Sequence, residues 1–183
     1  MPSLFARDAL LPEGWAGDVR IEVDPAGNVA AAIPGSPPGN CERLAGPVLP
    51  GMANLHSHAF QRAMAGLTEV RGAPDDDFWS WRELMYRFVQ RLTPGQAQAV
   101  AKYLYIEMLK HGYTAVGEFH YVHDGSDEML LRHLAAAKES GIAITLLPSL
   151  YRWSNFGRQP LQLRQKRFDS DPGFILKSLE KIR

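Results

Sequence analysis

Two histidines separated by one residue, His56 and His58, are the side chains whose types and spacing most directly indicate metal chemistry. Neutral imidazole nitrogen is a ligand suited to zinc and neighbouring transition metals. In an extended segment, residues at i and i+2 point to the same side, so both rings can reach one ion from one direction. The alternative is a pair of exposed histidines that flank Ser57 and bind nothing, which so short a motif does not exclude.

The segment before the pair indicates how it is held. Residues 46–51 (GPVLPG) are short, apolar and bounded by turn residues, which is typical of a buried strand arriving from a loop. A strand that ends at the histidines presents them at its carboxyl end, and this context favours the metal site over the exposed pair.

Length and composition exclude some classes of protein. The 183 residues have room for one ordinary domain, or for a small domain plus part of a larger one. Twenty basic residues balance 20 acidic ones, so we expect neither nucleic acid nor a membrane as a partner. The single cysteine, Cys41, fits a reducing compartment. With no signal-peptide pattern over residues 1–11 and no transmembrane stretch, the prediction is a cytoplasmic protein.

The first part of the chain predicts a small β unit. Residues 19–23 alternate apolar and charged side chains, residues 24–28 have turn chemistry, and residues 29–33 resume an apolar run, which together predict a hairpin. A segment rich in proline and glycine, residues 34–40, then breaks regular structure. We expect a unit over residues 1–46 that is too small to bury much core alone.

From residue 47, short apolar strands alternate with amphipathic helices. Strands are predicted over residues 114–119 and 142–148, and helices from about residue 78, from residue 94 and over residues 126–140. This order predicts βαβ units and a parallel sheet, either an open doubly wound sheet or a closed (β/α)₈ barrel. Both gather function at the carboxyl ends of the strands. No glycine-rich phosphate loop follows a strand, which argues against nucleotide binding.

Other candidates have competing structural explanations. Arg82 lies among tryptophans on a predicted helix, where it either packs at the surface or binds a substrate carboxylate, and base rates favour the surface. His111 is explained by its place at a helix end. His120 and His123 follow the second barrel-type strand, but nothing in the sequence indicates that either faces the ion.

The residues around the histidine pair carry a family resemblance. Residues 48–58 (VLPGMANLHSH) match the first-strand signature of the amidohydrolase superfamily, metal-dependent hydrolases and deaminases built on a (β/α)₈ barrel. Residues 56–62, 77–82 and 117–123 together are similar to the N-formimino-L-glutamate deiminases of histidine degradation. The resemblance implies an α/β fold in two parts, a small β-sandwich-like unit over residues 1–46 and a partial (β/α)₈ TIM-type barrel over residues 47–183.

The resemblance also implies roles for individual side chains. His56 and His58 would be two of the four ligands of one zinc ion, and Gln61, Arg82 and Tyr121 would bind the substrate. The implied reaction is hydrolytic deimination of the small molecule N-formimino-L-glutamate to N-formyl-L-glutamate and ammonia. For Arg82 this reverses the base-rate expectation.

Chain length departs from the family pattern, because a (β/α)₈ barrel needs roughly 250 residues. We therefore expect an N-terminal fragment that lacks half of the zinc ligands, has no catalytic acid or base of its own, and is inactive alone. The general acid and base are expected beyond Arg183, and the complete enzyme is a candidate homodimer. Two alternatives remain: another amidohydrolase deaminase acting on guanine or a related heterocycle, and a non-catalytic truncated barrel that serves as a binding or scaffold protein.

Overall fold

The computed structural model describes residues 3–182 of the chain. The backbone divides into two units, Met1–Gly51 and Met52–Arg183. The histidine pair and every other candidate site residue lie in the second unit.

The first unit is a four-stranded sheet with the strand order β3-β2-β1-β4. Its strands are β1 (Ser3–Leu11), β2 (Gly14–Val23), β3 (Val29–Ile33) and β4 (Glu42–Arg43). Strand β2 pairs antiparallel with β1 and β3, whereas β4 pairs parallel with β1. The small core consists of Ala6, Ala9, Val19 and Ile21.

The predicted hairpin over residues 19–33 is confirmed. Its turn is held by the carboxylate of Asp24, which accepts hydrogen bonds from the backbone N–H groups of Ala26 at 2.9 Å and Asn28 at 2.8 Å. An aspartate that bonds to the backbone ahead of it is a common way to close such a turn.

The prediction of a buried strand over residues 46–51 is wrong. This segment lies along β1, where Val48 N donates to Asp8 O at 2.9 Å and Leu10 N donates to Val48 O at 2.9 Å. Leu49 is 57% exposed. Pro47 and Pro50 have no N–H to donate, so the segment cannot continue a sheet ladder. The strand that carries the histidines begins later in the chain.

The second unit contains a parallel sheet with the order β5-β6-β7, as the alternation of strands and helices predicts. The strands are β5 (Met52–Ser57), β6 (Tyr113–His120) and β7 (Ala143–Pro148). The α-helices are α1 (Phe78–Val89), α2 (Pro94–Lys110), α3 (Glu128–Ser140) and α4 (Pro172–Lys181). Two 3₁₀ helices cover Ala59–Met64 and Leu163–Phe168.

Local sequence signals set the helix starts. The side chain of Thr93 accepts from Gln96 N at 3.3 Å and Gln96 Oε1 accepts from Thr93 N at 3.0 Å, which forms the capping box of α2. Asp77 caps α1 through Trp79 N and Ser80 N, at 2.8 and 3.0 Å. Both helices therefore begin where the sequence predicts.

Strand β6 has two chemically different faces. Val116, Glu118 and His120 are buried on one face, and Phe119 lies on the other, as the alternation of side chains along a strand requires. Gly117 lies so close to β5 that a Cβ there would be 3.1 Å from the carbonyl oxygen of Leu55. A side chain at this position would push the two strands apart.

Two hydrophobic cores support the second unit. One lies around Phe60, Tyr86 and Phe168, and the other packs α2 and α3 around Tyr105 and Val116. Over residues 3–182, no helix has the length and apolar character needed to cross a membrane.

Candidate metal and substrate site

The two histidine rings converge at the carboxyl end of β5. His56 is the last residue but one of β5 and His58 follows the strand, and their Nε2 atoms are 3.0 Å apart. His58 Nδ1 lies 2.9 Å from the carbonyl oxygen of Phe119. Because a carbonyl only accepts, Nδ1 carries the hydrogen and Nε2 keeps its lone pair. This is the arrangement expected of a histidine ligand whose ring is oriented by the backbone.

The geometry of the pair fits one zinc ion. Two nitrogens bound at ~2.0–2.1 Å to a tetrahedral ion lie about 3.3–3.4 Å apart, close to the separation of the two Nε2 atoms. Within residues 3–182, no group of three or more histidine, cysteine or carboxylate side chains is arranged to hold a metal. The pair could supply two nitrogen ligands to one ion.

The other two histidines near β6 are placed elsewhere. His120 is buried on the face of β6 opposite to Phe119, whose ring lies 4.4 Å from that of His56. His123 Nε2 bonds to the carbonyl oxygen of Ser149 at 2.9 Å. Neither ring reaches the His56–His58 pair.

A cleft of about 1010 Å³ opens beside the pair. It is lined by His58, Gln61, Arg82 and Tyr121, four of the five residues singled out from the sequence. His56 adjoins the cleft through its contact with His58. The structure thus brings together side chains from β5, the first 3₁₀ helix, α1 and the end of β6.

Gln61 and Tyr121 form one polar pair in this cleft. Gln61 Nε2 donates to Tyr121 Oη at 3.0 Å, so the tyrosine O–H remains free to donate. Burial raises the pKa of Tyr121 to about 12, and the hydroxyl is therefore neutral at physiological pH. The pair offers a hydrogen-bond donor that carries no charge.

Arg82 is a cation of the cleft, and neighbouring groups hold it in place. One guanidinium nitrogen donates to Tyr151 Oη at 2.9 Å. The guanidinium also lies over the rings of Trp79 and Tyr86, at 5.6 and 5.3 Å. Gln165, which is buried, donates to Tyr86 Oη at 2.9 Å and to Tyr151 Oη at 3.2 Å.

The three residues that hold Arg82 were not predicted as site residues. Tyr151 follows β7, so its position after a strand was an available signal. Tyr86 lies one helical turn after Arg82 in α1. Gln165 lies in the second 3₁₀ helix, and no pattern in the sequence points to it.

The first aromatic residues of α1 are exposed rather than packed in a core. Their helical spacing indicates packing onto the body, but Phe78 and Trp79 are 60% and 56% exposed. Both line the cleft together with Trp81. The buried residues of α1 begin at Met85, so the first turn of the helix lies outside the core and forms a wall of the cleft.

Taken together, the cleft combines a nitrogen pair suited to a metal, the guanidinium groups of Arg82 and Arg158, neutral hydroxyl and amide groups, and aromatic walls. A positive charge among neutral donors favours an anionic group, and a guanidinium binds a carboxylate through two parallel hydrogen bonds. The arrangement is suited to metal-assisted chemistry on a small molecule that bears a carboxylate.

The chain belongs to the amidohydrolase family, whose sequence model matches residues 48–174. Residues 1–46 match the model described as the N-terminal domain of formimidoylglutamate deiminase HutF. The chain is 53% identical to the formimidoylglutamate deiminase of Pseudomonas aeruginosa, over all of this chain and 42% of that protein.

Solved structures agree with this placement. An amidohydrolase from Brucella melitensis has 45% identity and a TM-score of 0.87, over all of this chain and 44% of that one. The atrazine chlorohydrolase TrzN from Arthrobacter aurescens, solved with zinc, has 16% identity and a TM-score of 0.71, over all of this chain and 42% of that one. The second likeness concerns the fold alone. The chain spans less than half the length of each of these proteins.

Proposed function

We propose that the protein carrying this chain hydrolyses N-formimino-L-glutamate to N-formyl-L-glutamate and ammonia, using one zinc ion bound in part by His56 and His58. The observation that carries this proposal is the cleft that places Arg82, Gln61 and Tyr121 beside His58. The identity of 53% with a formimidoylglutamate deiminase supports the substrate.

The proposal includes a domain assignment. Residues 1–46 form a small β-sandwich-like unit, and residues 47–183 form the first part of a (β/α)₈ barrel. The remaining two zinc ligands and the proton-transfer groups then come from outside the 183 residues. The reaction belongs in the cytoplasm, in keeping with the single Cys41. A homodimer of the complete enzyme stays a prediction.

Each side chain has a definite part in this mechanism. A zinc ion held by these histidines would lower the pKa of a bound water to about 7, so that a nucleophile would be available near neutral pH. Phe119 O holds His58 in the tautomer whose Nε2 can bind a metal. Arg82 binds a carboxylate of the substrate and fixes its orientation. Tyr121 donates its O–H to the substrate while it accepts a hydrogen bond from Gln61.

Replacement of Arg82 tests the substrate assignment. We expect Arg82→Ala, in the complete protein, to lower kcat/KM for ammonia release from N-formimino-L-glutamate by about 100-fold, which corresponds to ~2.7 kcal/mol for a lost charged hydrogen bond. The matched control is Arg87→Ala, because Arg87 lies on the same helix, is exposed and does not line the cleft. Nearly unchanged turnover by Arg82→Ala would remove the basis for a dicarboxylate substrate, and guanine would be tested next.

A further inference from the structure

Four buried polar side chains lie behind β6, on the face opposite to the histidine pair. We call Tyr105, Glu118, His120 and His133 the β6 polar cluster. Each is at most 3% exposed. Within the part of the chain that the structure describes, each has one buried atom with no hydrogen-bond partner: Tyr105 Oη, Glu118 Oε2, His120 Nε2 and His133 Nε2. An unpaired buried group costs about 1–3 kcal/mol, so four at one place indicate a role other than stability.

Glu118 links this cluster to the metal site. Its Oε1 accepts a hydrogen bond from the backbone N–H of Ala59 at 2.7 Å, and Ala59 directly follows His58. Ala59 is fully buried, so no solvent can replace this acceptor. Without the carboxylate, the N–H of Ala59 must move to find another partner, and the backbone of His58 moves with it.

Other side chains of the cluster lie against Glu118. His133 Nε2 lies 3.8 Å from Glu118 Oε1, and His133 Nδ1 donates to Met129 O at 2.9 Å, which orients that ring. Tyr105, on α2, lies near Glu118. Burial raises the pKa of Tyr105, and the charge of Glu118 raises it further. The carboxylate is thus confined between α2 and α3.

Successive residues of one strand contact successive residues of the site. Phe119 O accepts from the ring of His58, and Glu118 Oε1 accepts from the next backbone N–H along. One contact orients the imidazole, and the other holds the main chain that carries it. The first contact comes from the backbone of β6, and the second comes from a side chain on its buried face.

We propose that Glu118 is a positioning residue for His58, acting through the backbone N–H of Ala59, and that Tyr105 and His133 confine its carboxylate by lying against it. The role of His58 as a metal ligand rests on the proposed function, whereas the hydrogen bond from Ala59 N to Glu118 Oε1 does not. The neighbours of a ligating histidine typically change metal affinity 10–100-fold when they are removed.

The first test needs no metal. In the complete protein, prepared metal-free with isotope-labelled histidine, proton–nitrogen correlation spectra report which nitrogen of His58 carries the hydrogen. We expect only the Nδ1–H form in the wild type, a mixture in Glu118→Leu, and recovery in Glu118→Gln, whose amide oxygen can still accept from Ala59. Val116→Ala is the matched control, because Val116 is buried on the same face of β6 and has no contact with this hydrogen bond.

The second readout is the zinc dissociation constant, measured by chelator competition. We expect Glu118→Leu to weaken binding about 10–100-fold, while Val116→Ala stays within about twofold despite its own loss of stability. If Glu118→Leu does not fold, Tyr105→Phe replaces it and should shift the His58 signal partway.

Wild-type His58 spectra and zinc affinity in Glu118→Leu, or in Tyr105→Phe where it replaces that variant, would overturn the proposal. A wild-type protein that binds no zinc, with the His58 tautomer still dependent on Glu118, would instead overturn the proposed function and leave the positioning role standing.

Discussion

At the scale of residues, the site depends on side chains that fix other side chains. Arg82 would be a mobile surface arginine without Tyr151, which accepts its hydrogen bond at 2.9 Å. Burial raises the pKa of Tyr86 to about 12, so the Tyr86 hydroxyl beside the guanidinium is neutral at physiological pH. A fixed guanidinium loses less entropy when it binds a carboxylate, which is the physical benefit of the network.

Tyr151→Phe removes the hydroxyl and leaves the ring. We expect KM for N-formimino-L-glutamate to rise about 5–30-fold, the equivalent of ~1–2 kcal/mol, with a smaller change in kcat, because the loss falls on binding. Tyr103→Phe is the control, since Tyr103 is half exposed and lies outside the cleft. A KM within the error of the wild type would show that Tyr151 does not position Arg82.

At the scale of elements, the helix cap at Asp77 matters more than its exposed position suggests. It ends the loop before α1 and sets the first turn, which carries Trp79 and, one step further, Arg82. The cap of α2 at Thr93 is chemically similar but lies away from the cleft. A comparison of the two caps can therefore distinguish an effect on helix stability from an effect on substrate binding.

Asp77→Ala and Thr93→Ala should each lower the free energy of unfolding by about 1 kcal/mol, the usual loss for an N-cap. Only Asp77→Ala should also raise KM, because it frays the turn that presents Arg82. Thermal unfolding and steady-state kinetics measure the two effects. Equal changes in KM for both variants would mean that α1 has no special part in the site.

At the scale of the whole molecule, buried neutral histidines make the fold sensitive to acid. Burial lowers the pKa of His120 well below its ordinary 6.5, and the neighbouring charges of His133 and His123 lower it further. Burial also lowers the pKa of His123, against the opposing effects of its bond to Ser149 and the charge of Asp127. Both rings are favoured in their neutral form in the folded chain.

The sign of the pH dependence follows. Below pH 6.5 the unfolded chain binds protons that the folded chain excludes, so the free energy of unfolding decreases as the pH is lowered. The decrease is up to ~1.4 kcal/mol per pH unit for each histidine, and it ends when the pKa of the folded state is reached. His120→Gln should reduce this slope in denaturant unfolding between about pH 6.5 and 5. His111→Gln, at the exposed end of α2, is the control, and an unchanged slope in His120→Gln would contradict the assignment.

Much of the fold could be predicted because its signals are local. The capping residues Thr93 and Gln96 are three residues apart, and the strand-helix alternation reads directly from hydrophobic period. The strand before the histidines begins at Met52 and not within residues 46–51. The prediction followed the apolar composition of residues 46–51 and did not take account of their two prolines. Proline counts as apolar in such a pattern, although it has no backbone N–H to donate to a neighbouring strand.

The sequence by itself indicated the histidine pair, because residues at i and i+2 of an extended segment point to the same side. The tertiary structure decided which distant groups act on that pair and on Arg82. Arg82 and Tyr151 are 69 residues apart, and Ala59 and Glu118 are 59 apart. Such partners meet only when parallel strands align their carboxyl ends and helices pack over them, and this depends on the packing of the whole unit rather than on any local pattern.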